Sequence, residues 1–248
     1  MSDSGALLPP GISIRDLCVD FAAHRLFDRL SLEILPASFT ALLGASGIGK
    51  STLMRVIAGL TPPTSGVISG SDGLPLAGRI AWMGQQDLLY PWLSIEQNVC
   101  LASRLKGEKP DRLWAQHLLE RVGLHRHATA RPATLSGGMR QRAALARTLY
   151  ARKPIVLMDE PFSALDALTR HQIQTLAAEV LAHHTVLLIT HDAAEACRLS
   201  HQMLILSASG LESCQPLPGQ PPRVPNDIGV IESQAALLQK LSLSEVAG

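Results

Sequence analysis

A glycine-rich segment between a predicted strand and a predicted helix constrains the fold of this chain more than any other feature. The apolar run Phe39–Leu43 leads into Gly-Ala-Ser-Gly-Ile-Gly-Lys-Ser-Thr at 44–52, and the apolar spacing then becomes helical up to residue 60. This order is typical of a polyphosphate-binding loop, because the glycines let backbone N–H groups turn inward and the helix N-terminus adds positive potential. The segment therefore predicts an α/β fold that binds a nucleotide.

The side chains of this loop predict ATP and Mg²⁺ as the cofactors. Lys50 is expected to reach the β- and γ-phosphates and to act in catalysis, and the Ser51 hydroxyl is expected to ligate the metal. The loop residues expected to contact the nucleotide are Gly44, Ser46, Gly47, Gly49, Lys50, Ser51 and Thr52.

Two further predicted strands end in polar side chains. The run 155–158 is followed by Asp159 and Glu160, and the run Thr185–Ile189 is followed two residues later by His191. Because ligands gather at the carboxyl ends of strands in open α/β sheets, Asp159 is predicted to hold Mg²⁺ and Glu160 to deprotonate the attacking water. His191 is predicted to bond a γ-phosphate oxygen and that water. The alternatives are a helix start for the acidic pair and an ordinary surface histidine.

Composition excludes several classes of protein. Hydrophobic residues make up 46% and charged residues 17%, which is typical of a globular chain. The net charge is +1 without a basic stripe, so no nucleic-acid partner is expected. The N-terminus lacks the features of a signal peptide, and the apolar runs are too short to cross a bilayer. The widely spaced cysteines argue against a metal site or a disulfide framework; they are Cys18, Cys100, Cys197 and Cys214.

The middle of the chain has helical character. Ser94 and Gln97 form the pattern of a capping box that opens a helix to residue 105. The segment 111–122 places its large apolar residues on one face, and a third helix is predicted over 136–151. A helical insertion therefore interrupts the strand–helix–strand core.

One segment of this insertion identifies a family. Leu-Ser-Gly-Gly-Met-Arg-Gln-Arg at 135–142 resembles the signature motif of ATP-binding-cassette (ABC) ATPases. Ser136 is placed to cap a helix, and Gly137 and Gly138 expose N–H groups that could embrace a γ-phosphate. A plain capped helix is the alternative, which the phosphate loop elsewhere in the chain disfavours.

The resemblance implies the fold class and the domain boundaries. A P-loop NTPase is expected, with a RecA-like core, an N-terminal antiparallel β subdomain and an inserted α-helical signature subdomain. A single ABC ATPase domain spans 11–206, with its ATP-binding core at 11–85 and 151–206 and its helical subdomain at 86–150. Residues 207–248 are predicted to form a proline-rich surface linker and a C-terminal helix.

The resemblance also implies further site residues. Asp166 ends a segment similar to the loop that crosses to the opposite subunit. Gln85 resembles the glutamine that contacts Mg²⁺ and senses the helical subdomain, with the adjacent Gln86 as an alternative. Phe21 lies where the family places an aromatic residue that stacks on adenine, although it could equally be a core residue.

In this family two copies meet head to tail, so a second copy of the chain is the first expected partner. Ser136 and Gly138 would then act on the ATP held by the other subunit. The intact Glu160 and His191 argue against a nucleotide-binding scaffold without hydrolysis.

The segment Gln-Gln-Asp-Leu-Leu-Tyr-Pro-Trp at 85–92 is similar to a segment of ATPases for sulfonate, nitrate and thiamine-precursor (hydroxymethylpyrimidine) uptake, with Tyr90 as a departure from that pattern. The resemblance implies that Gln85 to Trp92 receives a helix of an integral-membrane permease, and that a solute-binding protein acts indirectly. The chain is then expected at the cytoplasmic face of the inner membrane. The alternative is a soluble ABC-type ATPase with a macromolecular partner.

Overall fold

Two β-sheets carry the fold, and a computed structural model describes them over residues 8–21, 24–208 and 210–246. The strands are β1 (Ile12–Phe21), β2 (His24–Ile34), β3 (Phe39–Leu43), β4 (Ser65–Gly70), β5 (Ile80–Met83), β6 (Ile155–Asp159), β7 (Thr185–Ile189), β8 (Gln202–Ser207) and β9 (Gly210–Ser213). The helices are α1 (Lys50–Ile57), α2 (Ile95–Val99), α3 (Leu101–Leu105), α4 (Arg112–Arg121), α5 (Gly137–Tyr150), α6 (Ala167–Val180), α7 (Ala193–Leu199) and α8 (Ile228–Val246).

The larger sheet has the strand order β5-β6-β7-β3-β8-β9, and all its pairs are parallel except β8 with β9. Every residue of β3, β6 and β7 is buried. Alternate residues of β6 enter two different apolar clusters, because successive side chains of a strand point to opposite faces and both faces are covered. The parallel order brings the carboxyl ends of β6, β7 and β3 side by side.

The smaller sheet, β2-β1-β4, is antiparallel and packs over α1 and one face of the larger sheet. The helical region α2–α5 packs on the opposite face. A P-loop core with an N-terminal antiparallel sheet and a helical insertion is therefore confirmed. Among the described residues, no helix is long and apolar enough to cross a membrane.

The helix predicted from Ser94 to residue 105 begins as predicted, but it is interrupted before its predicted end. The Ser94 hydroxyl accepts from the Gln97 N–H at 3.2 Å, and the Gln97 side chain accepts from the Ser94 N–H at 3.0 Å. The predicted single helix is divided into α2 and α3 because the backbone at Cys100 has ψ 8°, outside the helical range.

The C-terminal part of the chain contains β9 and the helix α8, and the proline-rich stretch before α8 is mostly exposed but anchored at one residue. Strand β9 extends the sheet beyond the predicted boundary at residue 206. Arg223 is buried, and its guanidinium donates hydrogen bonds to five backbone carbonyls. Those carbonyls belong to Cys197, Ser200, Leu217, Pro218 and Gly219. The segment is docked against the end of α7, because one buried arginine satisfies carbonyls from both parts of the chain.

A buried polar network lies between α6 and α7. Glu195 of α7 is 5% exposed and accepts a hydrogen bond from the Gln174 amide of α6 at 3.2 Å. Burial raises the pKa of Glu195 to about 7, while the Thr190 hydroxyl and the Gln174 amide favour the carboxylate. This carboxyl is therefore a titrating group inside the fold.

The titration of Glu195 predicts a pH-dependent stability. The folded pKa of about 7 exceeds the reference value of 4.5, so the folded chain binds more protons between these values and its stability falls as the pH rises through them. The full shift corresponds to about 3 kcal/mol. Urea unfolding at pH 5 and pH 8.5 measures the free energy of unfolding of Glu195→Gln and of the wild type. Between these two pH values the wild type should lose up to about 3 kcal/mol relative to the variant, which has no titrating group at this position. An identical pH dependence in both proteins would contradict this assignment.

Candidate active site

The phosphate loop between β3 and α1 requires glycine at two positions. Gly44 has φ 142°, and a Cβ there would lie 2.2 Å from the Leu206 carbonyl oxygen. Gly49 has φ 105°, and its Cβ would lie 2.9 Å from the Phe27 ring. Only glycine adopts these angles and leaves room for its neighbours. Between them, Ser46 and Gly47 are exposed, so this part of the loop is open to a ligand. The half-buried Thr52 follows in the first turn of α1.

Lys50, the first residue of α1, is buried beneath this loop. Its ammonium donates to the carbonyls of Gly44 and Ala45 at 2.7 and 2.8 Å. Burial lowers the pKa of Lys50, whereas the carboxylates of Glu160 and Asp159 oppose that shift by favouring the charged form. A cation is thus placed between the loop and the two acidic residues.

Asp159 and Ser51 form the candidate metal site. Asp159 is buried at the end of β6, and burial raises its pKa, while a hydrogen bond from the Ser51 hydroxyl and the charge of Lys50 oppose the rise. Carboxylate and hydroxyl oxygens suit Mg²⁺, which takes one or two protein ligands together with substrate phosphates. The described part of the chain contains no group of three or more His, Cys, Asp or Glu residues that could hold a metal ion.

Glu160 occupies a strained turn directly after β6. Its φ is 49°, a left-handed conformation that costs a non-glycine residue about 1–3 kcal/mol. Its N–H donates to the Ile189 carbonyl of β7 at 2.9 Å, which holds it against the neighbouring strand. Its two carboxylate oxygens lie 3.3 Å from His191 Nδ1 and 3.4 Å from Gln85 Nε2. The structure therefore brings together three of the four residues that the sequence predicted to be catalytic, and Lys50 is close enough to interact electrostatically.

The contact with Glu160 distinguishes the two candidate glutamines. Gln85 is the one within hydrogen-bond distance of the Glu160 carboxylate, and Gln86 is exposed beside it. This geometry favours Gln85 as the sensing residue. Its predicted contact with Mg²⁺ stays a prediction.

Gln141 is a site residue whose role the sequence reasoning missed, although it lies within the signature motif. It is 7% exposed, its amide donates to the Glu160 carbonyl at 3.0 Å, and its oxygen accepts from the Ala164 N–H at 2.9 Å. It therefore fixes the strained turn at Glu160 to the signature helix α5. The available signal was its spacing: Gln141 shares a helical face with the apolar Ala144 and Leu145, and a polar residue on a buried face needs a hydrogen-bond partner.

The signature residues and Asp166 act as helix caps in this chain. The Ser136 hydroxyl accepts from the Met139 N–H at 3.3 Å, and the Asp166 carboxylate accepts from the Thr169 N–H at 3.0 Å, which lowers the pKa of Asp166. Gly137 is exposed, and a Cβ at Gly138 would lie 3.1 Å from the Ala164 carbonyl oxygen. The cap predicted at Ser136 is confirmed, and the predicted roles of Ser136, Gly138 and Asp166 across a subunit interface stay predictions.

Two features of the structure are candidates for contacting the nucleoside. Phe21 ends β1, but its side chain lies outside the described residues. A cavity of about 510 Å³ borders Gly47 and Ile48 of the phosphate loop and is lined by β2 residues from Arg25 to Asp28. It is a further candidate for the nucleoside, which sequence patterns did not indicate.

The segment from Gln85 to Trp92 exposes aromatic side chains. Trp92 is 65% exposed and makes an edge-to-face contact with Tyr90 at 5.1 Å. Leu89, in contrast, is 8% exposed and belongs to the apolar cluster of the helical region, so it is a core residue. The backbone is held by the buried Asn98, whose side chain accepts from the Tyr90 N–H and donates to carbonyls of the loop.

Two arginines of the signature helix hold the same segment. Arg147 donates to the carbonyls of Asp87 and Leu88, each at 2.7 Å, and Arg140 pairs with the Asp87 carboxylate at 2.9 Å. Burial lowers the pKa of Arg147, and the charge of Asp87 opposes that shift. The segment 85–92 is therefore bonded to α5 at Asp87 and Leu88 and contacts Glu160 through Gln85, the residue at its start.

Comparison with known proteins agrees with this geometry. Residues 27–163 match the family described as ABC transporter. A Haemophilus influenzae protein, called an uncharacterized ABC transporter ATP-binding protein, is 44% identical over 237 residues and covers 93% of this chain and 98% of its own length. An aliphatic sulfonates import ATP-binding protein of Paracoccus denitrificans is 39% identical over 241 residues, covering 96% of this chain and 95% of its own length.

Solved structures share the fold. The dimeric structure of a bacterial ABC transporter cassette has a TM-score of 0.75 at 29% identity and covers 84% of this chain and 99% of its own. The dimeric post-hydrolysis state of an ATP-binding cassette bound to ADP and Pi has a TM-score of 0.74 at 28% identity, with the same coverage of 84% and 99%. With a family match over more than half of the sequence, this chain belongs to the ABC transporter family as one of its ATP-hydrolysing, ATP-binding cassettes.

Proposed function

We propose that this chain is the subunit that hydrolyses ATP to drive a membrane importer of a small polar solute. The observation that carries the catalytic part is the placement of the Glu160 carboxylate between Gln85 and His191, beside Lys50 and Asp159. The names of relatives such as the aliphatic sulfonates import protein support an importer, and they favour a sulfonate over a thiamine precursor or nitrate as the solute.

The proposed chemistry assigns each side chain one task. Lys50 and the loop N–H groups bind the β- and γ-phosphates, and Asp159 and Ser51 hold Mg²⁺, which neutralises phosphate charge when bound. Glu160 accepts the proton of the attacking water, while His191 bonds a γ-phosphate oxygen and orients that water. Phe21 and the cavity beside Gly47 are the proposed contacts of adenine and ribose.

Replacing Glu160 tests the catalytic assignment. Glu160→Gln removes the proton acceptor and keeps the Asp159–Ser51 pair, so ATP binding should persist while turnover falls by roughly 10²- to 10⁴-fold. Phosphate release and the Kd of a fluorescent ATP analogue measure the two effects. Glu232→Gln, at an exposed position of α8, is the matched control. A Glu160→Gln protein that hydrolyses ATP at the wild-type rate would show that Glu160 is not the base.

We also propose that two copies form composite sites head to tail, so that Ser136, Gly138 and Asp166 act on the partner's nucleotide. Ser136 and Asp166 are exposed although they cap helices, which leaves them accessible to a second copy. The dimeric cassettes with this fold support the arrangement.

A mixing experiment tests the composite site. Lys50→Ala and Ser136→Arg should each be inactive alone, because every site of either homodimer carries one defect. A mixed dimer contains one site with an intact phosphate loop and an intact signature, so phosphate release should recover in part on mixing. Wild-type activity of the Ser136→Arg homodimer would rule out the composite site.

The exposed segment around Trp92 is proposed to receive a cytoplasmic helix of an integral-membrane permease. Exposed, adjacent aromatic rings are typical anchors of protein interfaces. The bonds of this segment to α5 and the contact of Gln85 with Glu160 give a mechanical connection between permease and active site. The chain would then lie at the cytoplasmic face of the inner membrane, with a solute-binding protein acting through the permease.

Trp92→Ala tests this docking site. Loss of a central aromatic anchor should cost roughly 2 kcal/mol of association, a more than tenfold weaker binding to the permease, while basal ATPase activity and the melting temperature of the isolated subunit persist. Leu238→Ala, at an exposed apolar position of α8, should bind normally, and Leu89→Ala should lower the melting temperature because Leu89 is core. Undiminished co-purification of Trp92→Ala with the permease would exclude the segment as an anchor. Failure of the wild type to co-purify with a multi-span subunit would favour the alternative, an ABC ATPase with a non-transport macromolecular partner.

A further inference from the structure

His191 lies in a turn, residues 190–192, that is hydrogen-bonded to polar groups to which the proposed catalysis assigns no role. The turn begins at Thr190, whose hydroxyl accepts from the Asp192 N–H at 3.0 Å. The Asp192 carboxylate in turn caps α7 by accepting from the N–H groups of Ala194 and Glu195 at 2.9 and 3.3 Å. The side chain of His191 projects from this turn and is 67% exposed, so its position depends on the backbone that carries it.

Glu195 lies beneath this turn. Together with Thr190, His191 and Glu160 it lines a cavity of about 50 Å³ behind the catalytic carboxylate. Its carboxyl is buried, and the Thr190 hydroxyl is close enough to favour the carboxylate form and so to counter the pKa rise that burial causes. The Oε1 atom of Glu195 has no hydrogen-bond partner among the described residues, so the Glu195 carboxyl faces the turn across this cavity from the interior of the fold.

The orientation of Glu195 is fixed by two residues. Arg198 is 6% exposed, and its guanidinium donates to the Gln174 oxygen at 2.9 Å and to the Thr175 hydroxyl at 2.8 Å. Since arginine can only donate, it fixes the Gln174 oxygen toward itself and leaves the Gln174 NH₂ group to face Glu195. The amide then donates to Glu195 Oε2 at 3.2 Å.

Helix α6 connects this network to the loop that ends at Asp166. Asp166 caps α6, and Arg170 in the next turn donates to the Leu165 carbonyl at 2.9 Å. The same Arg170 lies 3.7 Å from the Asp192 carboxylate. One helix thus contacts both the loop before Asp166 and the His191 turn, and the pair Gln174–Glu195 keeps that helix and the turn at a fixed separation.

We propose that Glu195 is a positioning residue for His191, and that Gln174 and Arg198 hold it in place. This inference rests on the proposed role of His191 in hydrolysis. Because reaction rates depend steeply on the placement of catalytic groups, a turn that loses this support should slow turnover without changing ATP binding at the phosphate loop.

Exchanging the two polar partners provides a matched test. In Glu195→Gln the oxygen of the new amide can still accept from the Gln174 NH₂, but its NH₂ group then faces the Thr190 hydroxyl, which must accept a hydrogen bond where it favoured a carboxylate in the wild type. In Gln174→Glu two carboxylates face each other. The double exchange Gln174→Glu with Glu195→Gln restores every pairing, since the carboxylate introduced at position 174 would accept from Arg198 and from the new amide at position 195, whose oxygen faces Thr190.

We expect the kcat of each single variant to fall roughly tenfold, and that of the double exchange to recover to within about threefold of the wild type. The Kd for ATP should remain within about twofold in all three. In a His191→Ala background, Glu195→Gln should cause no further loss of kcat, because it acts through His191. All rates are measured well below each melting temperature and normalised to folded protein.

Three outcomes would overturn the inference. The first is a folded Glu195→Gln protein with the kcat of the wild type. The second is a double exchange that recovers its melting temperature but not its kcat. The third is a Glu195→Gln substitution that lowers kcat as much in the His191→Ala background as in the wild type. If Glu195→Gln does not fold, Gln174→Leu, which keeps Glu195 and removes its donor, must show the loss of kcat instead. Glu160→Gln separates the proposed catalytic function from the positioning inference. If Glu160→Gln abolishes turnover while Glu195→Gln leaves turnover unchanged, only the positioning inference fails.

Discussion

The parallel pairing of β6 with β7 and of β7 with β3 is the constraint on which the site depends. Each of these strands is buried along its whole length, so its register is fixed by apolar contacts on both faces. Their carboxyl ends therefore meet at one edge, where the phosphate loop, Glu160 and His191 follow. Residues more than a hundred positions apart in the sequence become neighbours because the sheet aligns the ends of their strands.

The strained backbone at Glu160 is stabilised by hydrogen bonds from neighbouring elements. A left-handed backbone at a glutamate is unfavourable by itself, and it persists because the Ile189 carbonyl and the Gln141 amide bond the peptide groups on either side of it. Gln141 belongs to the signature helix, so the geometry of the base depends on the helical insertion. Arg140 and Arg147 connect the same helix to the segment that exposes Trp92. The catalytic turn and the exposed aromatic segment thus share one rigid element.

Local patterns in the sequence predicted the elements that make these contacts. The order strand, glycine-rich loop and helix predicted the phosphate site because the glycine conformations at Gly44 and Gly49 are local requirements. The capping box at Ser94 and the cap at Ser136 were also predicted, since a cap involves residues three apart. The anchoring of the C-terminal segment by Arg223 was not, because it depends on contacts with a distant part of the chain.

By itself, the sequence determined an α/β nucleotide-binding fold, the phosphate loop, the strand-end positions of Asp159, Glu160 and His191, and the helix that begins at Ser136, because each is encoded by short-range spacing. The finer fold class followed from the resemblance of residues 135–142 to the ABC signature motif. The tertiary structure alone decided which of two adjacent glutamines faces Glu160, that Leu89 is core while Trp92 is exposed, and that Gln141, Gln174 and Glu195 are buried beside the catalytic turns. The physical reason is that a polar side chain is buried only where a distant partner satisfies its hydrogen bonds, and the identity of that partner depends on how the strands and helices pack.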